Sequence, residues 1–224
     1  MTPDQVVALL WEARATAILR TDDQRVAASA MDAAVRGGFR VVEVTLTTPG
    51  ALELIRELAS RPGLVVGAGT VLEIAQARAA VLAGARFLVS PVVDPAVIAE
   101  ARALGVASLP GVHTPTEALT AHRAGAPLVK LFPAPAGGPA WVRSCLGPMP
   151  FLRIVPTNGV DATNAAAWLE AGAWAVGCVA ALFDPGELRE RRFERVEARA
   201  RALLASVAAV PRPATPPVSA GGVR

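Results

Sequence analysis

The sequence predicts an α/β protein, a (β/α)8 TIM barrel with an N-terminal helix and a flexible C-terminal tail. Three observations carry that expectation. Short β-branched runs alternate with longer Ala-rich amphipathic stretches, a pattern that produces parallel strands joined by crossover helices. The runs number eight, at the spacing of roughly 20 to 25 residues that one strand plus one helix requires. Polar or special residues gather just after the runs, at the end of the sheet where a barrel assembles its site.

In chain order, a leading helix from about 3 to 13 precedes the strands TAILR (16–20), FRVVEVTL (39–46), LVVGAG (64–69) and RFLVS (86–90). The second half supplies VASLP (106–110), LVKLF (128–132), LRIVP (152–156) and AWAVG (173–177). Between them, DDQRVAASAMDAAVRGG closes on glycines that suit a helix end, and DATNAAAWLEAGA opens with Asp161 as an N-cap. A doubly wound open sheet is the alternative, but no GxGxxG follows the first strand. A barrel would bring Arg20, Glu43, Thr70, Pro91, Gly111, Lys130, Asn158 and Cys178 to one mouth. Residues 1–209 then form one domain, and residues 210–224, rich in Pro, Gly and Ala, form the tail.

Composition excludes several function classes. Hydrophobic residues make up 53% and charged ones 18%, yet no run approaches the roughly 18 apolar residues of a membrane span, so no membrane partner is expected. The N-terminus lacks a basic start followed by an apolar core, which points to a cytoplasmic protein. The formal charge is only +3 and the arginines are scattered, which argues against nucleic acid. The run GELRERRFERVEARARALL pairs acids with bases at helical spacings and reads as a solvated helix face. Cys145 and Cys178 fit neither a disulfide framework nor a CxxC site. His113 and His122 stand apart without clustered carboxylates, so no metal site is expected, although His113 can line the mouth.

Of 22 basic residues only Lys130 is a lysine, and it sits among Val129, Leu131 and Phe132. An amine held among apolar side chains loses its proton more readily than one in water and can attack a ketone, whereas a guanidinium stays protonated. A lysine spared by chance, or snorkelling from a strand end, is the alternative. Glu43 places a carboxylate inside a run that otherwise reads as a buried strand. It needs either an ion pair with Arg20 or Arg40, or a role as acid and base. GAGT (67–70) offers backbone amides and the Thr70 hydroxyl to a carboxylate.

Together these motifs resemble the class I aldolases that act on 2-keto-3-deoxy-6-phosphogluconate and 4-hydroxy-2-oxoglutarate. The resemblance runs over roughly residues 15 to 185, from AILR through EVTLTTP, VGAGTVL, the SP of VSPVVD, LPGVHTPTEA, VKLFPA and VPTNGV to the last strand. It implies a (β/α)8 barrel, a homotrimer, no cofactor, and pyruvate as product. By motif match Lys130 is the Schiff-base lysine and Glu43 the acid/base acting through a water. Thr70 holds the pyruvyl carboxylate, Pro91, Gly111 and Phe132 line that pocket, and Arg20 stands at its mouth. Thr47 of EVTLTT replaces an arginine common in the family. Asn158 and Gly159 of PTNG, with Gly177 and Cys178 of VGCVA, occupy the loops that meet a distal phosphate. There Asn158 stands where a first Gly is usual, and Val179 and Ala180 where Gly-Ser is common. The expected activity is cleavage of a 2-oxo-4-hydroxy acid to pyruvate and an aldehyde. A 2-keto-3-deoxy-6-phosphogalactonate aldolase, a phosphosugar isomerase and a non-catalytic sugar-acid-binding barrel are the alternatives.

Overall fold

The computed structural model describes residues 1–211. Helix α1 (Pro3–Ala13) starts at a capping box in which the Thr2 hydroxyl accepts from Gln5 and the Gln5 side chain accepts from Thr2. The chain continues as β1 (Ala15–Leu19), α2 (Gln24–Arg36), β2 (Val41–Thr45), α3 (Ala51–Ala59), β3 (Val65–Gly69) and α4 (Ile74–Leu82). Next come β4 (Phe87–Val89), α5 (Pro95–Ala103), β5 (Ala107–Leu109), β6 (Gly111–Val112), α6 (Pro115–Arg123) and β7 (Val129–Leu131). The last elements are α7 (Ala140–Leu146), β8 (Ile154–Pro156), α8 (Ala165–Glu170), β9 (Val176–Cys178), α9 (Pro185–Arg189) and α10 (Phe193–Ala209).

The strands pair in parallel in two groups, β5-β4-β3-β2-β1-β9 and β6-β7-β8. The run VASLP, expected over 106–110, ends at Pro110, and the chain pairs again just beyond it as β6, a strand that the sequence reading did not include. β5 pairs with β4 and β6 with β7, so Ala107 faces Phe87 in register while Gly111 faces Lys130. Proline has no N–H to donate, which interrupts a ladder, but the Pro110 carbonyl still accepts from the Lys130 amide at 2.9 Å. At the other junction Thr157 bridges Gly177 in parallel, and the Trp174 amide donates to the Ile154 carbonyl at 2.8 Å.

Two apolar layers fix which way each strand residue points. Ala15, Ala17, Leu19, Val42, Val44, Val66, Ala68, Leu88, Val129, Leu131, Val176 and Cys178 belong to the layer shared with the helices. Their alternates Val41, Val65, Phe87, Val89, Leu109, Leu128 and Val155 form a second layer with Val6, Val7 and Leu10 of α1. With a side-chain period of two, Glu43 and Lys130 must share this second face, one step further toward the C-terminal ends of their strands. Helix α1 therefore covers the N-terminal starts of the strands, where the Trp174 indole donates to the Val7 carbonyl at 2.8 Å. The opposite ends carry the polar residues.

Arg14, buried and in the left-handed region at φ 61°, caps α1 and ties the last helix down. Its guanidinium donates to the Val207 carbonyl at 2.8 Å, to Val210 at 2.5 Å and to Pro211 at 3.2 Å. Val210 is buried, so the chain stays anchored one to two residues past the point where composition starts a tail. The remainder of that tail, residues 212–224, lies outside the described residues. Helices α2 and α10 pack closely because Gly37 is bare: a Cβ there would meet Ala200 Cβ at 2.3 Å. No helix among the described residues is long and apolar enough to cross a membrane.

Candidate active site

Glu43 occupies the centre of β2 and is 1% exposed. Lys130 occupies the centre of β7 and is 8% exposed. These strands are not neighbours, yet their side chains converge across the second face and leave Nζ 4.0 Å from Glu43 Oε1, at the limit of ion pairing. The ammonium end also lies 4.9 Å from the centre of the Phe132 ring, within range of a cation–π attraction.

Glycines make room for this pair. Gly69 neighbours Glu43, and a Cβ on it would meet Oε1 at 2.0 Å. Gly67, opposite Glu43 in the ladder, leaves space for the Phe87 ring, which a Cβ would meet at 2.2 Å. The two glycines of GAGT thus clear space for the acid and the floor beneath it.

The electrostatics are unbalanced. Glu43 Oε1 is buried without a hydrogen-bond partner among the described residues. Burial pushes the carboxyl above the ordinary carboxylate range, against the pull of Lys130 and then Arg20. A polar group left unsatisfied in the interior costs about 1–3 kcal/mol, and such a cost concentrates where chemistry is done.

The other expected residues divide into those beside this pair and those further out. Thr70, in the left-handed region at φ 59°, accepts a 3.3 Å hydrogen bond from Arg20, joining the ends of β1 and β3. A β-branched residue in that region is strained, which marks a position held by its surroundings. Gly111 is buried with the Pro91 carbonyl against it, since a Cβ would meet that oxygen at 2.3 Å. Thr47 is exposed on the turn after β2, its hydroxyl 3.1 Å from that of Thr45. His113, on the loop after β6, has Nδ1 3.1 Å from the Pro133 carbonyl and thereby steadies the segment that follows Lys130.

Asn158 and Gly159 both have positive φ, 65° and 98°, and both are exposed after β8. Asparagine tolerates the left-handed region better than most residues, so the turn forms without a glycine at 158. Gly177 is buried against the Thr157 hydroxyl, which a Cβ would meet at 2.4 Å. Cys178 differs from the expectation of a loop contact. Its side chain is 0% exposed in the helix-facing layer and its thiol is pushed up to about 12 by burial, so only its backbone can face a ligand.

Sequence reading passed over two residues on this side of the molecule. A cavity of about 550 Å³ opens beside Arg20 and Thr47, and its far wall is made by α9 with Arg189 and Arg191. Both arginines belong to the charged run that reads as a solvated helix face. That run is broken, because α9 ends at Arg189 and α10 starts only at Phe193. Among the described residues no three His, Cys, Asp or Glu side chains gather as metal ligands.

The chain has relatives in both sequence and overall shape. The model of the family described as KDPG and KHG aldolase matches residues 6–199. A 2-dehydro-3-deoxy-phosphogluconate aldolase of Pseudomonas aeruginosa is 38% identical over 167 residues, covering 74% of this chain and 76% of its own. A 2-dehydro-3-deoxy-6-phosphogalactonate aldolase of Escherichia coli is 32% identical over 194 residues, covering 85% of this chain and 95% of its own. Among solved structures, the KDPG aldolase of Legionella pneumophila, with pyruvate captured as a covalent carbinolamine, superposes with a TM-score of 0.80 at 26% identity, covering 88% of this chain and 97% of its own. A match over most of the length, together with a lysine and a glutamate meeting in the interior, leads to one conclusion: the chain belongs to the KDPG and KHG aldolase family.

Proposed function

We propose that the protein is a class I aldolase that cleaves a 2-oxo-4-hydroxy acid, 2-keto-3-deoxy-6-phosphogluconate or 4-hydroxy-2-oxoglutarate, into pyruvate and an aldehyde. The observation that carries this reading is the buried Lys130–Glu43 pair at 4.0 Å, in a chain with no second lysine. The two strand groups, joined through Pro110 and the Thr157–Gly177 bridge, are read as one closed (β/α)8 barrel with the pair inside its open end.

The Lys130 amine attacks the C2 ketone, and loss of water from the carbinolamine gives an iminium that draws electrons from the C3–C4 bond. Glu43, through a water, takes the proton from the C4 hydroxyl as that bond breaks and the aldehyde departs. The raised affinity of Glu43 for a proton suits it to hold that proton and return it to C3 of the enamine. Hydrolysis then releases pyruvate and frees Lys130. Thr70 is the donor assigned to the pyruvyl carboxylate, and Arg20, which donates to its hydroxyl, stands at the mouth. Pro91, Gly111 and Phe132 shape the wall of that pocket.

Borohydride reduction in the presence of pyruvate tests the mechanism directly. One pyruvyl group per chain, mapped to the peptide holding Lys130, is the expected result. Absence of the adduct rules the reading out and leaves an isomerase or a non-catalytic binder, which release no pyruvate. The 2-keto-3-deoxy-6-phosphogalactonate substrate of the E. coli relative is the alternative within the same chemistry.

The cytoplasmic homotrimer belongs to the same proposal, and Leu72, Ile74 and Val92, which keep 46%, 39% and 52% of their surface exposed, supply apolar area for association. Sedimentation at three chain masses is the expected result, and a stable monomer removes the trimer.

A further inference from the structure

We infer that Arg189 and Arg191, with Arg20, form an anion subsite that holds the distal acidic group of the substrate. The inference rests on the aldolase reading above and names the end of the substrate that the Lys130–Glu43 pair does not touch. Phosphate and carboxylate offer the same oxyanion chemistry to guanidinium forks, so the subsite is defined by that shared charge and geometry.

Four observations support it. The cavity of about 550 Å³ lies within the range of small-molecule sites and is concave at the C-terminal ends of the strands. Arg20 connects it to the reacting centre, because the same guanidinium lines the cavity, donates to Thr70 and acts on the Glu43 carboxyl. Its charge favours an anion. Arg20, Arg189 and Arg191 face Asp22 and Asp23, and Asp23 is already engaged in accepting the Arg25 and Val26 amides at the start of α2. Neither Arg189 nor Arg191 has an ion-pair partner within 4 Å among the described residues, and Arg189 feels the Asp184 carboxylate only as a longer-range attraction that ranks last among the causes acting on that carboxylate.

The fourth observation is conformational. Arg191 has φ 56° and sits just past the end of α9, where the Arg192 amide donates to the Glu187 carbonyl at 2.9 Å and the Arg191 amide to Leu188 at 3.1 Å. This is the helix-ending motif whose left-handed position is most often glycine. Placing arginine there gives up stability, and what is gained is a guanidinium on the cavity wall. The loops after β8 and β9 do less for an oxyanion. Val179 and Ala180 bring no hydroxyl, and the Cys178 side chain is buried away from them.

The test is steady-state kinetics of the full chain and of an Arg189→Gln/Arg191→Gln double variant. Three 2-oxo-4-hydroxy acids serve as probes, ending in a phosphate, a carboxylate and a methyl group. The expected result is a KM at least 30-fold higher for one or both acid-ended substrates with kcat changed less than about threefold, so that the preference for acid over methyl collapses. The arm that falls further identifies the group. Arg191→Gly provides a second readout: it should raise Tm by about 2–4 °C through relief of the left-handed arginine while weakening the acid-ended substrate. An unchanged preference in the double variant overturns the subsite, as does an equal loss on all three probes. Failure of the wild-type chain to form the pyruvate adduct is a separate result, and it removes the aldolase reading itself.

Discussion

Lys130→Arg is expected to lose turnover by a factor on the order of 10⁵–10⁶, the scale on which removing a covalent nucleophile acts. The chain should remain folded. A guanidinium keeps its positive charge beside Glu43 and can pair with it, and its stem is similar in length, so the 8% exposed site is refilled rather than emptied. It cannot become a neutral amine, however, so no carbinolamine forms. Pyruvate with borohydride should leave the variant unmodified while circular dichroism and the thermal midpoint stay near those of the parent. Residual activity above about one part in a thousand would contradict the assignment of Lys130.

Glu43→Gln is the second large effect, a loss of about 10²–10⁴-fold in kcat. The variant keeps the shape of the carboxyl but neither takes nor returns a proton. In the parent, the acidic limb of kcat/KM should lie above 4.5, because burial raises Glu43 from that value, and in the variant the limb should vanish. Stability supplies an independent check. A carboxyl whose folded pKa is raised binds more protons in the native than in the unfolded chain. Its contribution is therefore fully present below the unfolded value and is lost as pH rises through the folded one. Urea unfolding should show the parent losing stability relative to the variant across that window. Equal slopes in the two proteins would mean that Glu43 titrates normally and does not act as the acid and base.

The strand pattern was readable from sequence because short β-branched runs set between Ala-rich amphipathic stretches are local properties, and each observed strand begins or ends within three residues of a run. What broke the pattern was equally local but easy to pass over. The run over 106–110 stops at Pro110, and the two-residue β6 just beyond it takes a different partner from β5. Glu43 and Lys130 were conspicuous singly, as a charge in a buried run and as a lone lysine, whereas their 4.0 Å approach depends on strands far apart in sequence. Gly69 stood out as a possible anion contact, and its steric service to Glu43 emerges only when the carboxylate has a position. Arg189 and Arg191 were hidden by the assumption of one continuous helix. Acid–base alternation satisfies a solvated face equally well, and no residue type in the run announces the left-handed break at Arg191.

The grip of Arg14 on Val207, Val210 and Pro211 bears on how the protein can be handled. Arg14 stands immediately before β1, on the side covered by α1, so Pro211, the last described residue, lies at the base of the molecule. A surface tether or a fused partner attached directly after Pro211 in a chain shortened to that residue begins on the far side from Lys130 and Arg20. Immobilised on a support through that end, the enzyme would present its substrate entrance outward to the passing solution.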